Sequence, residues 1–171
     1  MIQALIKKYG GGKNDLNNIK LPISLDLIFN NKYLDYANIL CVLYTLRNKK
    51  SGIIIDELAY YVTLIYSLSK TQVGYSINYQ FIQNTYLDIS KTIKKSLIYL
   101  ANQNYITLIT SKNENKVNLK VCIGDAGIKI VADFISEYFK EIILKSQHIY
   151  KNIPYNAKNK LIVWRNSWDV H

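Results

Sequence analysis

The spacing of apolar residues along the chain marks out a succession of elements. In residues 90–103, SKTIKKSLIYLANQ, the side chains of Ile93, Leu97, Leu100 and Ala101 fall at i, i+4, i+7 and i+8 and share one face of a helix. Lys91, Lys94, Lys95 and Asn102 collect on the opposite side, with Tyr99 at its edge and no carboxylate after Asp88. One face is therefore suited to a core and the other to an anion. Residues 105–110 and 117–123 follow as β-rich runs joined by a polar turn, which predicts a hairpin.

Upstream, residues 33–46 are apolar or aromatic except for Asp35, Asn38 and Thr45, which fall on one narrow strip of the helical wheel. A helix so nearly apolar all round is either the central core helix or presents Tyr36, Leu40 and Tyr44 to a partner. A basic turn over 47–52 leads to Ile53, Ile54 and Ile55, a β-branched run, and Asp56 is placed to cap a second apolar helix over 57–68. Residues 69–85 lack a helical period and predict a long loop with a strand around 75–82. Beyond the hairpin Gly124 and Gly127 break the strand, and Asp125 is placed to cap one long helix. Its stripe is Ile128, Val131, Ile135, Tyr138, Phe139 and Ile142.

The two ends read differently. Residues 1–32 form an arm with a glycine hinge at Gly10, Gly11 and Gly12, and Pro22 forbids a regular helix in LPISLDLIF. After Pro154 the tail carries the β-prone run Leu161, Ile162, Val163, Trp164 and then Trp168. This predicts a strand-like segment that docks on a partner or along the edge of its own domain.

A chain of 171 residues holds one well-buried core and is too short for two ordinary domains. The expected organisation is an arm over 1–32, a domain over 33–148 and a docking tail over 149–171. The fold class is α+β, mainly α: helix, short strand, helix, loop, helix, hairpin, long helix matches a winged helix with an N-terminal arm, a long C-terminal helix and a strand-like tail. With 49% hydrophobic residues and no run long enough to span a bilayer, the sequence predicts a globular protein with no membrane partner. The first residues lack a signal-like apolar stretch and cleavage site, which predicts a cytoplasmic address.

Charge and chemistry narrow the function classes. The net charge of +10 invites a nucleic-acid reading, but the chain is equally rich in Ile, Asn and Tyr, the residues of an AT-rich genome. Local clustering of lysines therefore counts for more than the total. Cys41 and Cys122 are far apart and predict core residues rather than a disulfide or zinc site. Only His148 and His171 are present, with no CxxC, no HExxH and no carboxylate cluster, so the expectation is a non-enzymatic protein without metal or cofactor.

In winged helices that bind DNA the third helix enters the major groove and the wing reaches the backbone. Here Lys91, Lys94 and Lys95 would meet phosphates, Tyr99 or Asn102 would approach bases, and Lys112 and Lys116 would lie at the wing tip. The helix has no arginine for bidentate guanine reading, which favours backbone contact or a simply solvated face.

The stretches YLDYANILCVLYTLRN and GIIIDELAYYVTLI, the hairpin from YITLIT to VNLKVCIGDAG and the helix IVADFISEYF together resemble a known group. They resemble the small middle components of bacterial ABC-three-component systems, including the small subunit of Lamassu-type antiphage defence. The resemblance covers roughly residues 33–140 and rests on pattern and length. It implies a winged-helix subunit of a hetero-oligomer, similar in role to the kleisin-associated proteins of chromosome-maintenance complexes. Its partners would be the heads of an SMC-like ATPase and an effector such as a nuclease, with duplex DNA as a further candidate. The partners would carry the catalysis, and the tail residues Leu161, Val163, Trp164 and Trp168 would dock. The alternative is an independent winged-helix DNA-binding protein, such as a plasmid or phage regulator or a replication accessory factor.

Overall fold

Residues 58–65 are buried without a break in the computed structural model, and the rest of the fold is arranged to cover them. The structure describes residues 31–72, 74–113 and 116–168. The expected arm, apart from Asn31 and Lys32, and its hinge lie outside the described residues. In chain order the elements are α1 (Lys32–Thr45), β1 (Ile53–Ile54), α2 (Ile55–Ser67), β2 (Leu68–Thr71), β3 (Gly74–Ile77), α3 (Tyr79–Asn102), β4 (Ile106–Asn113), β5 (Lys116–Ile123), α4 (Asp125–Ala132), α5 (Glu137–Asn152) and α6 (Ala157–Trp168). The chain is α+β and mainly helical, with a small antiparallel sheet of order β1-β5-β4 and a separate β2–β3 hairpin.

A helix apolar on every side needs neighbours around its whole circumference. α2 obtains them from α1, α3 and α5, and α1 from α2, α3, α4 and α5. Both apolar helices are thus covered by the chain itself, because the C-terminal third folds back as helices instead of trailing away. The link between α5 and α6 is fastened to α2: the Tyr60 hydroxyl donates to the Ile153 carbonyl at 3.0 Å, and the Tyr155 amide donates to the Tyr61 hydroxyl at 3.1 Å. Each such bond contributes on the order of 1 kcal/mol net.

The sheet follows the expected hairpin closely. Ile106 pairs with Ile123, Leu108 with Val121 and Thr110 with Leu119, while Ile53 of β1 pairs with Val121 on the other edge of β5. Gly52 makes that approach feasible. Its φ is +71°, and a Cβ there would lie 2.8 Å from the Cys122 sulfur.

Several expectations are corrected. Residues 69–85 are not a long loop: the strand expected around 75–82 is present as β3 but ends at Ile77, it pairs with β2 in a tight hairpin, and α3 starts at Tyr79, about three turns earlier than expected. The Asn78 side chain caps it, accepting from the Phe81 amide at 3.0 Å. The other end of α3 is closed by a Schellman motif. Asn104 adopts φ 59°, the Tyr105 amide bonds to the Leu100 carbonyl at 3.0 Å, and the Asn104 amide bonds to the Ala101 carbonyl at 2.9 Å.

Asp56 does not cap α2, which begins two residues earlier than expected, at Ile55 behind Ile54, and Gly124, not Asp125, stands at the α4 cap position. Both aspartates lie in their helices' first turns, where the dipole still favours them. The long C-terminal helix is two helices, α4 and α5, because the Ser136 side chain accepts from the Tyr138 amide and starts a new one. Ile135, counted in the expected stripe, sits in the break and is 87% exposed. The strand-like tail is helix α6, started by Asn156, whose side chain accepts from the Asn159 amide at 2.8 Å, and it packs along α3. Pro154 lies ahead of its first turn, where proline does not interfere.

Candidate macromolecular interface

α3 has one face turned to the core and one turned outward. Ile82, Tyr86, Ile93, Leu97 and Leu100 are buried, and Ser96 among them bonds to the Thr92 carbonyl at 2.9 Å. On the outward face Lys91, Lys94, Lys95 and Asn102 are all exposed, as the sequence suggested. Lys91 pairs with Asp88 at 3.5 Å, both side chains lying mostly in water, so the pair is weakly held. Tyr99 turns aside from this group. Its ring stacks on Tyr36 of α1 with centroids 4.5 Å apart and an angle of 16°, and Tyr33 meets both rings edge-on.

The outward face also holds two residues that sequence reasoning missed. Leu87 is 60% exposed and Ile98 is 64% exposed. With α3 extended back to Tyr79, the signal is plain: Leu87, Lys91, Lys94 and Ile98 stand at i, i+4, i+7 and i+11 on one line of the helix. β4 packs against α3 and continues the apolar character. Leu108 and Leu119 are partly exposed on the face of the hairpin that also carries the buried Ile106 and Val121. The backbone of Lys112 and Lys116 lies in β4 and β5, and their side chains fall outside the described ones.

The residues singled out for partner binding are scattered. Leu40 is only 3% exposed, inside the chain's own core, and leaves nothing for another chain to touch. Tyr36 is half-buried against Tyr99, and Tyr44 lies beneath the Arg47 guanidinium at 4.2 Å. In the tail Val163 is fully buried while Leu161 faces outward, as a helix requires of residues two apart. The side chains of Trp164 and Trp168 lie outside the described ones.

The interior polar groups serve packing. Asn38, 2% exposed, donates to the Tyr66 hydroxyl at 2.8 Å and the Tyr138 hydroxyl at 2.9 Å, tying α1 to α2 and α5, and its own oxygen has no partner. Burial raises the Asp35 carboxyl above its ordinary range. A pocket of about 230 Å³ between α1, α2 and α3 is lined by Asp35, Tyr66, Thr85, Asp88 and Thr92 among apolar side chains. Lys49 pairs with the buried Glu57 at 2.6 Å; burial alone would lower its ammonium, but the hydrogen bond and charge of Glu57 outweigh this and raise it.

Cys41 is buried and its thiol is pushed up to about 12 by desolvation, which leaves it unreactive near neutral pH. His148 sits against the Tyr75 ring of β3 at 4.9 Å and beside Asn152, so it helps dock the β2–β3 hairpin on α5. His171 lies outside the described residues. Among the described residues no three His, Cys, Asp or Glu side chains are grouped to hold a metal, and no helix is long and apolar enough to cross a membrane. Comparison with family models, curated proteins and solved structures gives no match to this chain.

Proposed function

We propose that the chain is a non-catalytic winged-helix subunit of an SMC-like ATPase antiphage defence complex, bridging the ATPase heads to an effector such as a nuclease. The winged-helix part is supported by the order α1, β1, α2, α3, β4, β5, with β5 hydrogen-bonded between β1 and β4. In this reading α3 is the third helix, the β4–β5 hairpin is the wing, and β2–β3 is an insertion before α3. The assembly part rests on the sequence resemblance and on one observation: Leu87 and Ile98 are exposed on the outer face of α3, where a free monomer gains nothing from them.

The interface therefore moves from α1 and the tail to α3 and the wing. The test is co-expression with the products of the adjacent genes, followed by size-exclusion chromatography. A stable hetero-oligomer containing an SMC-like ATPase is expected. A chain that elutes as a monomer in the presence of each neighbouring product contradicts the proposal.

A second reading, an independent duplex-DNA-binding protein, is favoured by Lys91, Lys94, Lys95 and Asn102 standing together in solvent. In that case Lys91→Glu, Lys94→Glu and Lys95→Glu together would abolish duplex binding, and the slope of log affinity against log salt for the native chain would reflect about three phosphate contacts from this helix. Unchanged duplex binding in that variant excludes α3 as the reader.

A further inference from the structure

We infer that the outer face of α3 docks an acidic amphipathic helix of the partner, an identification that rests on the assembly reading above and specifies the chemistry of its interface. Leu87, Lys91, Lys94 and Ile98 lie within about 60° of one another around the α3 axis at 100° per residue. The two aliphatic side chains stand about 16 Å apart along that axis, at 1.5 Å per residue. Both are more than half exposed, and two ammonium groups lie on the line between them. Lys95 and Asn102 flank the line on one side.

The charge balance of this surface is one-sided. From Ile89 to Asn113 the chain carries no carboxylate, and the nearest, Asp88, holds Lys91 only through a solvent-exposed contact of 3.5 Å. An incoming carboxylate can displace that contact at little cost.

Three occupants can be compared. Duplex DNA satisfies the lysines, but its phosphates offer nothing apolar. A thymine methyl can meet one aliphatic side chain of a helix in the groove and leaves the other, three turns away, unmatched. A second copy of this chain sets lysines against lysines in the self-complementary contact a two-fold axis imposes. A partner helix laid along α3 supplies apolar residues at the same turn-by-turn spacing and places Asp or Glu beside Lys91, Lys94 and Lys95.

The experiment is fluorescence anisotropy with the full chain and a labelled synthetic helical peptide of about 20 residues. The peptide carries leucine at i, i+4, i+7 and i+11 with glutamate beside them. A scrambled peptide of the same composition, a peptide with lysine in place of glutamate, and a duplex serve as comparison probes. The acidic amphipathic peptide is expected to bind at least about tenfold more tightly than the other two peptides and the duplex. Leu87→Asp with Ile98→Asp should weaken it by about tenfold or more, and since both residues face solvent, the circular dichroism spectrum should not change. Lys91→Glu with Lys95→Glu should reverse the preference toward the lysine peptide, a gain that misfolding cannot produce. Equal binding of the scrambled peptide, no binding of the acidic peptide, or a preference for the duplex overturns the inference. Assembly with an adjacent-gene product that survives the Leu87→Asp, Ile98→Asp double variant also overturns it while leaving the assembly reading intact; loss of all assembly by the native chain sinks that reading instead.

Discussion

Asn38 is the most informative position for testing the packing that holds this surface. It joins three helices through two donated hydrogen bonds and leaves its own oxygen buried and unpartnered. Each bond contributes about 1 kcal/mol net, while a buried oxygen without a partner costs about 1–3 kcal/mol. Asn38→Ala removes both bonds and opens a cavity, which predicts a loss of about 2–4 kcal/mol. Asn38→Leu removes the bonds but also the unpaired oxygen and keeps the volume, so its loss should be smaller, about 0–2 kcal/mol. Tyr138→Phe should cost about 1 kcal/mol alone and almost nothing on the Asn38→Leu background. Urea unfolding followed by circular dichroism measures all four quantities. If Asn38→Leu is as damaging as Asn38→Ala, or if Tyr138→Phe costs the same on both backgrounds, the hydrogen bonds are not what this node contributes.

Other consequences can be read off the same packing. Burial raises the hydroxyls of Tyr60 and Tyr66 and pushes Tyr86 up to about 12, so the folded chain holds these protons more tightly than the unfolded one. Their contribution is present below the ordinary value of 10.0 and is lost as pH rises through the folded values. Spectrophotometric titration should therefore show a delayed tyrosine fraction that ionises together with alkaline unfolding; a single smooth titration near the ordinary value would contradict this burial. Asp35, also raised by desolvation, follows the same rule from its ordinary 3.8. The stability of Asp35→Asn relative to native should rise as pH increases through the acid range, and a pH-independent difference would count against its desolvation. In α6, Val163→Asp should destabilise by about 3 kcal/mol or more, since it buries an unpaired charge, while Leu161→Asp should change stability by less than about 0.5 kcal/mol. Equal effects would place the tail elsewhere than along α3.

The parts of this fold that are legible in the sequence are those in which one period is unambiguous. The first helix and the β4–β5 hairpin stand where alternation and apolar density put them, because a helix of almost uninterrupted apolar residues and two β-branched runs around a polar turn have few other packings. The start of α3 is hidden because Asn78, Gln80, Gln83 and Asn84 crowd its cap and first turns, polar residues that mask the stripe Ile82, Tyr86, Ile89, Ile93. The shortened helix leaves Leu87 out, and without it Ile98, although inside the expected helix, is a single apolar residue among lysines and defines no line. The tail departs from expectation for a different reason. Leu161, Ile162 and Val163 favour a strand intrinsically, but α3 offers a helix-shaped apolar surface and no open sheet edge to join, and tertiary packing overrides propensity. The lysines of α3 are visible at once, since Lys91, Lys94 and Lys95 cluster opposite the stripe Ile93, Leu97, Leu100.

The central claim, that α3 and the adjoining hairpin form the surface through which this chain joins an assembly, is tested most directly by amide hydrogen exchange. The chain is measured alone and in complex with the adjacent-gene product that co-purifies with it, an SMC-like ATPase under the proposed function. Slower exchange over residues 87–102 and 106–110, with no change across residues 39–45 of the buried α1, is the predicted result. Exchange in α3 that is unaltered by the partner, or protection confined to other elements, would contradict the account.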